Sequence, residues 1–181
     1  ELTLPLLSNA VVTANASCND SANGSATISV QGGMLPYTIN WNGVDNNALT
    51  AGTYIVTIND SFNCGPIYDT VEILEPTPFL IQTTSITANP CFGDALGVLT
   101  LSAIGGTMPY VEYYARDVQS NTIMVYLPTI SGLAASNYDL WSIDANGCPS
   151  DTLKGVKVGE PGEIKININN HTNATCYQLD D

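Results

Sequence analysis

The sequence predicts an all-β protein made of β-sandwich units repeated in series. Three observations carry this. The stretch Leu49–Cys64, LTAGTYIVTINDSFNC, returns as Leu133–Cys148, LAASNYDLWSIDANGC, at a constant offset of 84, and self-similarity at a fixed offset marks a repeat architecture. Apolar and polar residues alternate over short segments separated by Gly, Pro and Asn turns, and no segment holds a helical period over a useful length. Each copy of the repeated stretch opens on a turn and a Tyr. This is the pattern of a tyrosine corner, in which the phenol bonds back to the connection before it. Tyr54 and Tyr138 are the candidates.

The first unit is assigned to residues 1–76. Residues 1–10 lead in, Val11–Cys18 reads as the first strand, and Asn19–Gly24 is a polar loop. Ala26, Ile28 and Val30 alternate with polar residues in the next strand. Gly32-Gly33-Met34-Leu35-Pro36-Tyr37 is a turn, with glycines for unusual backbone angles and a proline to stiffen the exit. Tyr37, Ile39 and Trp41 alternate again. Gly52–Asp60 is the signature strand, with Tyr54, Val56 and Ile58 on one face, and Ile67–Leu74 closes the unit. Glu75-Pro76-Thr77-Pro78 is a short, stiff junction.

The second unit, residues 77–161, follows the same plan. Ile81–Cys91 matches the first strand, and Gly105-Gly106-Thr107-Met108-Pro109-Tyr110 matches the Gly-Gly turn at an offset of 73. The offset then rises to 84, so eleven extra residues lie between Tyr110 and Tyr138. They predict a lengthened hairpin turning near Gln119-Ser120-Asn121. In this copy Ser136 stands where the first has Gly52. Glu160-Pro161 repeats the junction, and residues 162–181 read as the start of a truncated third unit. With Glu1 in place of an initiator Met, the expectation is an internal piece of a longer protein.

Composition narrows the functions. There are 17 acidic residues against four basic ones, a net charge of −13. Nucleic acid and anionic membrane are poor partners for such a chain, because phosphate is neutralised by Lys and Arg. No apolar run is long enough to span a bilayer. Apolar residues at 44% are enough for packed cores. The five cysteines hold equivalent places in each unit, which points to a disulfide framework and an oxidising compartment. The absence of Cys-x-x-Cys spacing, with His171 as the only histidine, argues against zinc. No Gly-x-Ser-x-Gly elbow, His-Glu-x-x-His or phosphate loop is present, so no catalytic residue is assigned and an enzyme is not expected.

The ordered set of blocks resembles the SprB-type repeats of very large surface proteins of gliding and predatory Bacteroidetes. In the first unit the matching residues are Cys18 with Asn23-Gly24, Gly32-Gly33-x-x-Pro36-Tyr37, Leu49-x-x-Gly52-x-Tyr54, and Asp60 through Cys64 to Glu75-Pro76. In the second they are Cys91, Gly105-Gly106-x-x-Pro109-Tyr110, Tyr138, Asp144–Cys148 and Glu160-Pro161. The resemblance implies immunoglobulin-like or PKD-like sandwiches and export to the cell surface, often by the type IX route. It implies roles in adhesion, gliding motility or filament-like appendages, and no catalysis.

Several constellations follow. Cys18–Cys64 and Cys91–Cys148 pairs would staple each unit, each loop constraining the unfolded chain by roughly 4 kcal/mol. The alternative is Cys18–Cys148. In a strict immunoglobulin topology the loop after the first strand and the last hairpin lie at opposite ends, so stacked units bring those two together. Cys176 is expected to pair outside the fragment. Ser21, Thr70 and Thr152 sit in Asp-Ser/Thr-apolar tripeptides that look like the O-glycan sites of Bacteroidetes. Asn19-Asp20 and Asp45-Asn46-Asn47, with Glu75 or Glu160, offer oxygen ligands to Ca2+ without EF-hand spacing, so solvated loops are preferred and no cofactor is assigned. Tyr113, Tyr114, Arg116 and Tyr126 in the insertion are a candidate surface for a glycan or protein, with hairpin packing preferred. The expected function is a structural or adhesive segment of a secreted surface protein. Its partners would be neighbouring units, a self-assembled fibre joined at the insertion hairpin, or an extracellular glycan. The alternatives are a glycan- or protein-binding module and a spacer within a secreted enzyme.

Overall fold

The computed structural model describes residues 4–62 and 65–169. The described residues form twelve strands and no helix. The protein is an all-β molecule of antiparallel sheets stacked as sandwiches. Residues up to Ile73 supply β1 (Leu7–Ala14), β2 (Ser25–Gln31), β3 (Thr38–Asn40), β4 (Gly52–Asn59) and β5 (Ile67–Ile73). Residues from Leu80 onward supply β6 (Leu80–Thr87), β7 (Gly97–Ile104), β8 (Glu112–Asp117), β9 (Ile123–Tyr126), β10 (Thr129–Leu133), β11 (Ser136–Ile143) and β12 (Leu153–Val158). The sheets run β1-β2, β3-β4-β5, β10-β7-β6 and β12-β11-β8-β9. None combines strands from before and after residues 74–79.

Two-residue periodicity decides what is buried. Along β4, Val56 and Ile58 are buried while Ile55 faces out; along β11, Tyr138, Leu140 and Ser142 point inward. The N-terminal core gathers Ala26, Leu49, Val71 and Ile73, with Val12, Trp41 and Tyr54 packed on it. The C-terminal core is larger. It holds Leu99, Leu101, Tyr113, Ala115, Ile130, Leu133, Tyr138, Leu140 and Val158.

The first strand begins and ends earlier than its apolar residues predict. It spans Leu7–Ala14 and leaves β2 before Cys18. Beyond Ala14 the backbone bonds to a different neighbour. Ala16 N–H donates to Leu74 O (3.0 Å), and Asn15 Oδ1 accepts from Leu74 N–H (3.0 Å). The loop carrying Cys18 is therefore tied to the end of β5, beside the junction.

The insertion makes the expected hairpin. β8 and β9 pair from Tyr113↔Tyr126 to Arg116↔Ile123, and the turn passes through Asn121 at φ 56°. β10 then pairs with β7, whereas residues 46–50 of the first half form no named strand and meet β2 and its approach through the Gly24↔Leu49 bridge and the bonds of Ala26 N–H to Asn46 O and Asn46 Nδ2 to Ala26 O.

Both halves use the same corner. Tyr54 Oη donates to Thr50 O (2.9 Å) and Tyr138 Oη to Ala134 O (3.0 Å). Tyr138 is 2% exposed, while Tyr54 is half-buried and also bonded to Thr50 Oγ1. Tyr138→Phe removes the bond from a buried phenol to the Ala134 carbonyl and is expected to cost about 1 kcal/mol, with Tyr54→Phe, whose ring is only half-buried, costing less. Guanidinium unfolding of the two variants checks this order.

Candidate functional site: the braced junction

The residues that converge most tightly lie where the two pairs of sheets meet. The segment Leu74–Phe79 is held at both ends. On the N-terminal side, Glu75 Oε2 accepts from Asp20 N–H (2.7 Å) and Glu75 Oε1 from Asn19 Nδ2 (3.0 Å). Asp20 has φ 56°, the left-handed conformation that turns its N–H toward that carboxylate. On the C-terminal side, Thr77 O accepts from Gly106 N–H (2.9 Å) and Phe79 O from Asp151 N–H (3.1 Å). The Phe79 ring stacks on Tyr110 at 5.2 Å. Tyr110 Oη in turn donates to Gly105 O (3.0 Å). Only Pro76 lies between the pins at Glu75 and Thr77, and proline removes one backbone freedom.

The Gly-Gly turn is part of the clamp. Gly105 has φ 74°, and a Cβ there would lie 1.9 Å from Pro78 O. Gly32 repeats this against Pro5 O at 2.0 Å. The next glycine faces a buried carboxylate. Asp144 is 1% exposed and accepts from Thr107 N–H (2.8 Å), Asn146 N–H (2.9 Å) and Cys148 N–H (2.9 Å). Asp60 does the same for Met34 N–H (3.2 Å) and Phe62 N–H (3.1 Å).

A disulfide joins Cys18 to Cys148 across the junction, with the Cα atoms 5.7 Å apart. This is the between-unit arrangement and corrects the preferred pairing of Cys18 with Cys64 and Cys91 with Cys148. The reason is the length of β1. Cys18 sits beside Leu74 and Glu75, while the turn after β4 bonds to Met34 at the opposite end. The eight residues of β1 run roughly 27 Å between those ends, and a disulfide needs Cα atoms within about 7 Å. Cys91 is an exposed free thiol. Cys64 and Cys176 lie outside the described residues. Asn146 Nδ2 adds a further tie to Ser17 O (2.9 Å). The sequence offered no sign of Asn146, nor of Asp144 as the collector of N–H groups, beyond the Asp placed four residues before a Cys in both copies.

The insertion residues divide by strand parity. Tyr113 is buried in the core and Tyr126 packs against it. Tyr114 and Arg116 face outward, where β11 supplies their partners. Tyr114 stacks on Trp141 at 5.1 Å, and Arg116 Nη2 meets Asp139 Oδ2 at 2.5 Å. Tyr114 Oη also donates to the Glu112 carboxylate. The four residues therefore do not form one surface. Trp141 and Asp139 were missed because their place beside Tyr114 and Arg116 depends on the β8–β11 register. Of the glycan candidates, Thr70 and Thr152 are exposed, whereas Ser21 Oγ is engaged within its loop, donating to Cys18 O (2.9 Å). Among the calcium candidates, Glu75 binds the loop N–H groups and Asp45 Oδ1 accepts from Asn47 N–H (2.9 Å). Among the described residues no three His, Cys, Asp or Glu side chains converge as a metal site, and no helix is long and apolar enough to cross a membrane.

Residues 10–46 match the family model of the SprB repeat, a repeat of bacterial surface proteins. The match covers Cys18, Asn23-Gly24, Gly32-Gly33 and Pro36-Tyr37. No curated protein matches the chain significantly.

Closing a loop with a sequence separation of 130 constrains the unfolded chain by about 5 kcal/mol at most. The Cys18→Ser/Cys148→Ser variant is expected to lose several kcal/mol of that in guanidinium unfolding. Trp41 and Trp141 emission should stay native in buffer, because neither sulfur belongs to either core cluster.

Charge gives a second expectation. Hydrogen bonds from Ser136, Gln119 and Ser120 hold the Asp117 carboxyl below its ordinary value of 3.8, and Arg116 does so for Asp139. A carboxyl depressed in the folded state stabilises it above the unfolded value, and the gain is lost as pH falls from about 4. Burial raises the Tyr113 and Tyr138 phenols above 10.0. Their contribution is full below pH 10 and lost as pH rises beyond it. Melting temperature against pH should fall on both limbs, and Asp139→Asn should flatten the acid one.

Proposed function

We propose that this chain is a structural, adhesive segment of a secreted bacterial surface protein, in which sandwich units are stacked in series to extend or present something beyond the cell. The units are residues 1–76 and 77–161, with a third beginning at 162. The single observation that carries this is the junction itself. A short linker pinned at both ends and bridged by a disulfide resists bending and rotation, and that is what a stalk or appendage requires of every joint. Disulfides persist in oxidising surroundings, which supports an extracellular location. Sulfurs that bridge a joint serve mechanics. The proposed function calls for no catalytic residue and no cofactor. An acidic surface keeps neighbouring stalks apart.

Small-angle X-ray scattering of the oxidised and reduced protein tests the joint. The oxidised chain is expected to scatter as one elongated particle of fixed length. Reduction should broaden the distance distribution as the joint loosens. An oxidised chain that already scatters as a freely hinged pair would overturn the stalk reading.

A further inference from the structure

We infer that the outer face of the four-stranded sheet carries a binding site for a neutral pyranose sugar, with Trp141 as its wall and the Arg116–Asp139 pair as its floor. The inference gives the adhesive part of the reading above a ligand class and rests on that reading for its setting.

Strand register builds the site. Across β11 and β8, Trp141 lies opposite Tyr114 and Asp139 opposite Arg116. The Tyr114 and Trp141 rings are parallel within 2°, their centroids 5.1 Å apart, so Tyr114 props the indole from the β8 side. The connection from β11 to β12 runs past the other side. A cleft lies there, lined by Trp141, Pro149, Ser150, Thr152, Arg116 and Asp139. Gly155 adds no side chain to it, and a Cβ there would meet no atom within 4 Å.

The floor offers donors and acceptors side by side. The Arg116 side chain is 43% exposed and meets Asp139 Oδ2 through Nη2 at 2.5 Å. Asp139 Oδ1 accepts from Gly155 N–H (3.0 Å). A carboxylate has roughly four lone-pair positions, of which these bonds use two. Arg116 Nε is buried without a partner. Such an orphan calls for an explanation: the guanidinium is not placed for its own best bonding, and Asp139 holds it in the cleft wall instead.

The internal repeat supplies a control. The first half builds the same strands with Thr57 in the place of Trp141, Ile55 in that of Asp139 and Asn40 in that of Tyr114. Its β3 ends at Asn40, so Arg116 has no counterpart there. Thr152 corresponds to Tyr68, which is 66% exposed. The sandwich therefore folds without this constellation, and the second half has it for another reason.

Chemistry selects the occupant. A pyranose presents an apolar C–H face and, at its rim, adjacent hydroxyls that both donate and accept. The indole takes the face, and a guanidinium beside a carboxylate takes a neighbouring pair of hydroxyls. Ligand sites commonly join aromatic walls to a few fixed polar groups in this way. An apolar side chain seated there would cover the charged pair without bonding to it, which is unfavourable. Charge then decides between sugars. Asp139 neutralises Arg116, and the chain carries −13 overall, so anionic sugars are repelled.

The test is titration of the 15N-labelled 181-residue chain with oligosaccharides of glucose, galactose, mannose and N-acetylglucosamine, each to about 10 mM. The readouts are the indole N–H signals of Trp41 and Trp141 and saturation transfer to the sugar. At least one of these neutral oligosaccharides is expected to shift the Trp141 signal and leave that of Trp41 in place. Trp141→Ala should weaken binding about tenfold or more. Arg116→Lys, which keeps the charge but loses the planar fork, should weaken it several-fold. Thr152→Tyr fills the cleft with the residue that the first half carries at that place, so it should fold and abolish binding. The site is overturned if no neutral oligosaccharide shifts Trp141, if galacturonate oligomers bind in their stead, or if Thr152→Tyr binds as well as the unaltered chain. Scattering from the same samples separates the two readings. A fixed, elongated particle that binds no sugar loses the site and keeps the stalk, and a freely hinged chain that binds sugar keeps the site and loses the stalk.

Discussion

Asp144 is 1% exposed, and its two oxygens accept three backbone N–H groups, from Thr107, Asn146 and Cys148. A buried carboxylate is tolerated only when hydrogen-bonded in this way, and charge-assisted bonds of this kind are among the stronger ones. The turn after β11 is consequently fixed against the Gly-Gly turn before β8. That fixes the Cys148 sulfur, and through it the loop 18–24 of the preceding half. Without the carboxylate the turn would have three N–H groups to satisfy elsewhere, and the disulfide would have no settled place to form.

The other half of the clamp is Glu75. Its carboxylate holds the Asn19-Asp20 turn, so the linker and the cysteine loop move as one piece. Both clamps are carboxylates bonded to backbone N–H groups, which suits a chain with 17 acids and four bases. Few acids need a basic partner because the main chain supplies the donors. The Arg116–Asp139 pair, far from the junction, orders the outer face of the enlarged sheet instead.

Much of the strand order was legible because alternation is a local signal. Ala26, Val56 and Ile58 are buried where their period placed them. The Gly-Gly-x-x-Pro-Tyr block announced a turn, and both tyrosines of the block bond back to its first glycine, at 2.6 Å for Tyr37 and 3.0 Å for Tyr110. The disulfide partner was not legible. Cys18 and Cys64 look paired along the chain, but pairing depends on which end of the sandwich each turn reaches, and that depends on β1 leaving its sheet at Ala14 to bond with Leu74. The outer face of β8 was half legible. Parity separates Tyr113 from Tyr114, but only the register between β8 and β11 brings in Trp141 and Asp139.

The Cys18–Cys148 bond also changes the path along which a pull on the chain ends would travel. Tension entering at the N-terminus reaches Cys18, crosses the sulfur bridge and leaves from Cys148. The residues between them, a separation of 130, form a closed loop off the covalent load path. At about 3.4 Å per residue that is roughly 440 Å of contour length that cannot be drawn out while the bond survives. A staple inside each sandwich would have left the Pro76–Thr77 link bearing the full load. Crossing the joint hides it, so the weakest-looking part of the chain is the part the load never reaches.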